Sequence, residues 1–345
     1  MMCTLTLLVE GSRGERDEMQ DAHSIVIDLW SLEDKDDSKI EAFKRKRLSF
    51  FSVYDGHSGA KAATYCENVL HKNLLNNIQS MLEMKMEGLL DADDALCNSS
   101  GELSPKHITR CILDAFKQTN SDFIKIVQKE RLKDGCTAVV ALLYGDLLYT
   151  ANLGDSAAIL AAETDCRSLK CFPLSKEHTA SVYSERMRIQ KAGGTVKNGR
   201  VEGVIEVSRS IGDAAFKHLG VICTPEIKID NFSTEKLHPH FVILGCDGLW
   251  SKMQKQDVVK FVGDFLSAES THQAVEEILE QQDLQLPDEN LLSVEERVKY
   301  KVQRTVRYRK MTVQMAVKAL VNEAVKRGSS DNVSALLIFF GKNKF

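Results

Sequence analysis

Apolar residues in this chain recur at two spacings, and the two alternate along it. Short continuous apolar runs bounded by Gly, Asp and Asn predict buried strands over Thr4–Val9, His23–Leu29, Leu48–Tyr54, Ala138–Tyr144, Leu147–Leu153, Ala157–Ala161, Phe241–Cys246 and Val333–Phe340. Longer stretches with apolar residues three and four apart predict helices over Ser58–Gln79, Pro105–Lys129, Ser181–Ala192, Gln256–Phe265, His272–Gln282 and Val313–Arg327. In the first of these, Ala62, Cys66, Val69, Leu70 and Leu74 suit one face. Gly145-Asp146 separates two strands by a two-residue turn, so Ala138–Ala161 reads as a meander of antiparallel neighbours, not as βαβ units. Long helices interrupting antiparallel meanders give an α+β fold, with sheets packed together and covered by helices. Ser31–Arg47 reads as a charged surface loop, and charged insertions are expected near 80–105 and 285–310. Neither a repeat nor a linker divides the chain, so residues 4–341 read as a single domain.

Composition narrows the classes. Apolar residues make up 43% of 345, enough for a sizeable core. A net charge of −4 gives no global case for nucleic-acid or membrane binding. No apolar run approaches the ~20 residues of a membrane span, and Met1–Val9 reads as a first strand, not a signal peptide. Nine cysteines at irregular spacings, with no Cys-x-x-Cys, argue for a reducing compartment and against zinc.

The strand ends carry the chemistry. Tyr54 runs into Asp55-Gly56-His57, Leu153 into Gly154-Asp155 and Cys246 into Asp247-Gly248; Asp331-Asn332 opens the last run, and Asp21 precedes the run from His23. Carboxylates converging at strand ends hold hard divalent cations, which can activate water against a phosphate ester. One Asp-Gly is also an ordinary turn. Four or five such sites, one carrying a His, exceed what turns alone explain.

Arg16-Asp17-Glu18-Met19-Gln20-Asp21-Ala22-His23, Tyr54-Asp55-Gly56-His57-Ser58-Gly59, Asp134-Gly135-Cys136-Thr137-Ala138, Asn152-Leu153-Gly154-Asp155-Ser156, Glu206-Val207-Ser208-Arg209-Ser210-Ile211-Gly212-Asp213, Cys246-Asp247-Gly248-Leu249-Trp250 and Gly328-Ser329-Ser330-Asp331-Asn332 occur in a fixed order. Together they resemble the metal-dependent serine/threonine protein phosphatases of the 2C (PPM) type, over about Arg16 to Phe340. The resemblance implies a central β-sandwich of two antiparallel sheets flanked by antiparallel helices, in four layers. It implies hydrolysis of phosphoserine and phosphothreonine in proteins, by a water bridged between two Mg²⁺ or Mn²⁺ ions. Asp55 would bridge both ions, the Gly56 carbonyl would approach one, and Asp247 and Asp331 would complete a shell, with Asp21 near the second ion. Arg16 would clamp the phosphate and His57 would protonate the leaving oxygen. A role in kinase signalling, with a kinase or adaptor partner, is also implied. The expected protein is a monomer acting on phosphoprotein substrates in the cytoplasm, and in the nucleus if Lys44-Arg45-Lys46-Arg47 is an import signal and not a solvated loop.

Several residues depart from the family pattern. Asp155 can help hold a weak third ion in the family, but Ala157 stands where Arg is usual and Ser251 where Asp is frequent. Gln20 replaces a more common Glu. Cys136 replaces a common Ser and has no His placed beside it, so it is not expected to be a nucleophile. Asp213 is expected to organise the loop beneath the site. Arg304, Arg307, Arg309 and Lys310 read as a docking surface or as a solvated face. Two rival classes fit part of the pattern: a catalytically weakened adaptor, and a hydrolase of small phosphates. The intact set Arg16, Asp21, Asp55, His57, Asp247 and Asp331 favours the protein phosphatase.

Overall fold

The computed structural model describes residues 4–32, 46–87, 103–163, 168–232, 238–283 and 293–341. In chain order its strands are β1 (Thr4–Ser12), β2 (Ala22–Val26), β3 (Leu48–Tyr54), β4 (Gly56–His57), β5 (Gly135–Cys136), β6 (Ala138–Tyr144), β7 (Leu147–Leu153), β8 (Ala157–Glu163), β9 (Leu169–Pro173), β10 (Val196–Lys197), β11 (Arg200–Val201), β12 (Ile211–Gly212), β13 (Glu226–Asn231), β14 (His238–Gly245) and β15 (Val333–Gly341). Its helices are α1 (Lys61–Met86), α2 (Pro105–Glu130), α3 (Tyr183–Lys191), α4 (Ala214–Lys217), α5 (Asp247–Trp250), α6 (Lys255–Ser267), α7 (Glu269–Asp283) and α8 (Val294–Lys326).

Side-chain alternation in the long strands sets the layers. On β3, Phe50 and Tyr54 join one buried cluster and Phe51 and Val53 another. A strand buried on both faces needs a layer on each side. Five strands in the order β13-β7-β6-β3-β2 form one sheet, and five in the order β1-β15-β14-β8-β9 form the second. Between the sheets, Phe51, Val53 and Val139 meet Leu160, Val242, Leu244 and Ile338. Outside the first sheet, α1 and α2 bury Leu70, Ile78, Phe116 and Phe123 with Phe50 and Tyr149. Outside the second, α6 and α8 bury Val259, Val262, Val317 and Leu320 with Ile243 and Leu337. Side-chain bonds Lys61–Glu130, Asn73–Thr119 and Asn77–Cys111 run in opposite chain directions, so α1 and α2 are antiparallel. The architecture is the expected α+β sandwich with flanking helices.

Two expectations near the C-terminus change. The helix predicted over Val313–Arg327 begins at Val294, within the stretch 285–310 read as an insertion. A capping box sets that start: Ser293 Oγ accepts from the Glu296 N–H, and the Glu296 carboxylate accepts from the Ser293 N–H at 2.8 Å. Of the arginine cluster, Arg304 and Arg307 pair with Glu276 and Asp283 of α7 at 2.6–2.9 Å, so these two tie α7 to α8. Lys44 and Arg45 of the basic run, and 88–102 of the earlier insertion, lie outside the described residues. Among the described residues, no helix is long and apolar enough to cross a membrane.

Between β9 and β13 a small lobe carries α3, β10 and β11 around its own core of Ala180, Ile189, Val201, Ile205 and Val221. Glu185 ties this lobe to the chain leading to β12. Its carboxylate accepts from Arg209 Nη2 at 2.8 Å, Arg209 Nε at 3.0 Å and Ser208 Oγ at 2.6 Å. Burial opposes its charge, yet bonds from Arg209, Ser208 and Arg188 hold its carboxyl down at about 2.

Candidate active site

Strand register brings the predicted aspartates to one edge of the sandwich. Ala22 pairs with Tyr54 across β2 and β3, so Asp21 and Asp55, each one residue beyond, lie side by side. Gly245 pairs with Ala335, and Ser12 with Val333, so the chain after β14, before β15 and after β1 meets at the end of the second sheet. A carboxylate oxygen of Asp21, one of Asp55 and Cys246 Sγ all lie within 4.8 Å of one another. Asp247 is within hydrogen-bonding reach of Asp55. The backbone of Asp55 is fixed on both sides by Thr137, whose N–H donates to the Asp55 carbonyl at 2.9 Å and whose Oγ1 accepts the Asp55 N–H at 3.2 Å. At Gly56 an added Cβ would collide with the Gln20 carbonyl, so only glycine lets the Asp21 loop close over β4.

Burial, followed by mutual repulsion, sets the titration of these groups. Burial raises the Asp55 carboxyl well above the usual carboxylate range, and the charges of Asp21, Asp247 and Asp155 add to it. Burial pushes Asp21 up to about 6 against hydrogen bonds from Ser334 and Cys246, with Asp247 and Asp331 adding repulsion. Asp155 is pushed up to about 7 by burial and then by Asp247. Asp247 is raised by burial and then by Asp331. Ser334 Oγ donates to Asp21 Oδ2 at 2.7 Å, but Asp21 Oδ1 is buried with no partner among the described residues.

Repelling buried carboxylates and an orphaned oxygen fit a hard divalent cation, which prefers oxygen ligands. Cys246 does not fit: burial holds its thiol well up, and it is already engaged with the Asn332 carbonyl at 3.3 Å and the Ser334 N–H at 3.1 Å. A consequence is testable without turnover. A carboxyl whose folded pKa is raised binds its proton more readily in the folded state, so stability falls as pH rises from its unfolded value, ~4, through its folded one. With Asp21 at about 6 and Asp155 at about 7, the thermal midpoint of metal-free protein should fall between pH 5 and pH 8. Saturating Mg²⁺ or Mn²⁺ should restore several degrees at pH 8 and much less at pH 5. A midpoint that ignores both pH and cation would show that these carboxylates do not form one site.

Arg16 stands at the rim. Its loop is pinned by Asn332, whose Nδ2 donates to the carbonyls of Arg13 at 3.0 Å and Glu18 at 3.1 Å, while Oδ1 accepts the Gln20 N–H at 2.7 Å. Arg16 Nη2 donates to Asp331 Oδ2 at 2.6 Å, and its side chain is 57% exposed. His57 has Nε2 at 2.8 Å from Asp213 Oδ2. Burial works against the imidazolium, but the hydrogen bond and charge of Asp213, then the charge of Asp155, raise its pKa overall. Asp21, Asp55, Asp155, Asp247 and Asp331 thus act on one another's charge, Arg16 pairs with Asp331, and His57 feels the charge of Asp155. Asp213 does more than organise a loop, since it contacts His57 directly. Cys136 is buried, its thiol held well up by burial, with Sγ 3.5 Å from that of Cys66; it is not a nucleophile. Thr137, Asn332 and Ser334 were not singled out from sequence, although each is one to three residues from, or inside, a quoted motif.

The chain matches the family model described as Protein phosphatase 2C over residues 7–283. It belongs to the 2C family of metal-dependent serine/threonine protein phosphatases. Over 332 residues it is 36% identical to the human integrin-linked kinase-associated serine/threonine phosphatase 2C, a span of 95% of this chain and 71% of that one. It is 36% identical over 255 residues to a probable protein phosphatase 2C of rice, covering 71% of this chain and 63% of the relative. Among solved structures, a serine-threonine phosphatase 2C of Toxoplasma gondii matches with a TM-score of 0.66 at 18% identity, over 97% of this chain and 94% of that chain. A Caenorhabditis elegans sex determining protein also matches at 0.66, with 19% identity, over 98% of this chain and 65% of its own. At these identities the two structures share the fold.

Proposed function

We propose that this chain hydrolyses phosphoserine and phosphothreonine esters in a single displacement at the edge where Asp21, Asp55, Asp247 and Asp331 converge. The observation that carries this reading is the repelling carboxylate cluster with the orphaned Oδ1 of Asp21, with Arg16 on Asp331 and His57 two residues after Asp55. Two divalent cations, when bound, would supply charge neutralisation at the phosphoryl group and a water acidic enough to attack phosphorus at neutral pH. Asp55 would face both, with Asp247, Asp331, Asp21 and the Gly56 carbonyl as the other donors. Arg16, a planar fork of fixed charge, binds the non-bridging phosphate oxygens and orients the phosphorus. His57 gives a proton to the departing serine or threonine oxygen, a poor leaving group without one. Phosphate release from a phosphothreonine peptide, followed as Mn²⁺ or Mg²⁺ is titrated into metal-free protein, tests the whole. Turnover that is indifferent to the metal would overturn it.

A third ion would have fewer ligands here. Asp155 is in place, but Ser251 supplies no carboxylate at the position four residues after Asp247, one helical turn on and on the same face. Ser251→Asp should tighten the weakest cation-binding step by about tenfold, since hard-ion affinity grows with ligand charge. Calorimetric titration of both forms checks this. Three equivalent ions in the natural protein would mean that another group replaces the missing carboxylate.

The name of the human relative links it to integrin-linked kinase, and by that likeness a kinase complex is where we place this chain's action, as a monomer. Free cysteines at Cys66, Cys111, Cys136, Cys171, Cys223 and Cys246 support a reducing, cytoplasmic setting. Import to the nucleus would use Lys44–Arg47.

A further inference from the structure

We infer that Asp213 is the positioning residue of His57, so that the acid of this site is a His–Asp pair built across β5 and not a lone imidazole. The inference rests on the proposed role of His57 as proton donor and adds the group that aims it.

The pair is assembled by a miniature sheet. In the order β12-β5-β4, His57 pairs with Gly135 from one side and Gly212 pairs with Gly135 from the other. The side chains of His57 and Asp213 close over that central glycine. A Cβ on Gly135 would collide with His57 Nε2 and with the Asp213 carboxylate, so the absence of a side chain there is what lets the two meet.

Asp213 has three features that a merely structural aspartate would not combine. It stands at the N-cap position of α4, where an aspartate ordinarily accepts a bond from the first helical turn, yet it makes no such bond. It holds the left-handed conformation, φ +47°, which costs a residue other than glycine about 1 kcal/mol or more. And its side chain is 1% exposed, a costly place for a carboxylate without a strong partner. The side chain turns instead to His57 Nε2 at 2.8 Å, with a further hydrogen bond from Ser210 and the charge of Lys217 also favouring the carboxylate. The surroundings lock the carboxylate in this pose. Its N–H donates to the Asp134 carbonyl at 3.1 Å, and the N–H of Gly212 donates to Asn120 Oδ1 at 3.2 Å. Lys217 Nζ, one turn along, donates to the Ser210 carbonyl at 2.6 Å and reaches Ser210 Oγ at 3.3 Å, fixing the strand that delivers Asp213.

The consequence is a defined ring. With the Nε2 proton held by Asp213, the imidazole cannot flip, and Nδ1 is the nitrogen turned to the leaving oxygen. As the phosphorus–oxygen ester bond breaks, its electron pair stays on the serine or threonine oxygen, which takes the Nδ1 proton. The attacking water forms the new bond to phosphorus and gives up a proton to solvent. Nδ1 is reprotonated by water after product leaves, while the Nε2 proton stays with Asp213 throughout.

Asp213→Asn, His57→Gln and the double variant test this on a phosphothreonine peptide and on 4-nitrophenyl phosphate, all with saturating Mn²⁺. Asp213→Asn should lower kcat on the peptide by about 10-fold or more, by analogy with the 10- to 100-fold cost of losing a partner that orients a metal-bound histidine, with KM little changed. It should lower kcat on the aryl ester clearly less. In the His57→Gln background it should add almost nothing, because the two act as a unit. Equal losses on both substrates, or additive losses in the double variant, overturn the inference while leaving His57 as the acid. No peptide-selective loss in His57→Gln sinks both. One measurement needs no variant to fold: ¹⁵N-histidine spectra of the natural protein should place neutral His57 in the Nε2–H tautomer. The Nδ1–H tautomer would overturn the assignment.

Discussion

Asp55→Asn is expected to lower turnover of a phosphothreonine peptide by on the order of 10³-fold or more, since the residue would touch both cations and the activation of the attacking water depends on them. The substitution is close to isosteric, and the backbone it sits on is held by Thr137 from both sides, so the fold should survive. A second effect runs the opposite way. Burial, then the charges of Asp21, Asp247 and Asp155, oppose the ionised Asp55 carboxyl. Removing its charge should therefore raise the thermal midpoint of metal-free protein at neutral pH, while the gain that Mn²⁺ gives the natural protein should largely vanish. The pairing of lost activity with gained stability separates an electrostatic role from damage to the fold. Activity near that of the natural protein would take Asp55 out of the mechanism.

How much of this could be read beforehand depended on where each partner lies in the chain. Leu48–Tyr54, Ala138–Tyr144 and Leu147–Leu153 are strands with the predicted bounds, because an Asp or a Gly-Asp turn punctuates each. The helix from Pro105 was legible because Ser104 caps it and proline suits its first turn. The start of α8 was not. Val298, Val302 and Val306 recur at helical spacing but are 59%, 60% and 51% exposed, so they belong to no core face. The overlooked signal was local, the Ser293-Val294-Glu295-Glu296 capping box. Edge strands β9 and β13, half-exposed and short, were missed for want of a continuous apolar run. In the site, each aspartate announced itself by ending or opening a strand, which is a local pattern. The contacts that orient them are not local. His57 meets Asp213 across 156 residues, and Gln20 meets Asn332 across 312. Only strand register, fixed by the fold, decides such pairs.

His57→Gln should slow hydrolysis of a phosphothreonine peptide by roughly 10²-fold or more and hydrolysis of an aryl phosphate considerably less. The difference follows from the leaving group. A serine or threonine alkoxide departs poorly without a proton, whereas a nitrophenolate carries its own charge. The environment of His57 suits a donor: although burial resists the charged ring, Asp213 and Asp155 raise its pKa above the ordinary histidine value, so the ring stays protonated to higher pH than a free imidazole. The sign of the pH dependence follows. Peptide turnover should decline on the alkaline side as His57 loses its proton, at a pH above ~6.5, and that limb should be absent in His57→Gln. The aryl ester should show only a shallow alkaline decline in either form. Glutamine keeps much of the size of the ring, so the cation-binding carboxylates should be undisturbed, and Mn²⁺ titration of the thermal midpoint provides the check. Equal losses on the two esters, or an alkaline limb that persists without the imidazole, would assign the proton to another group.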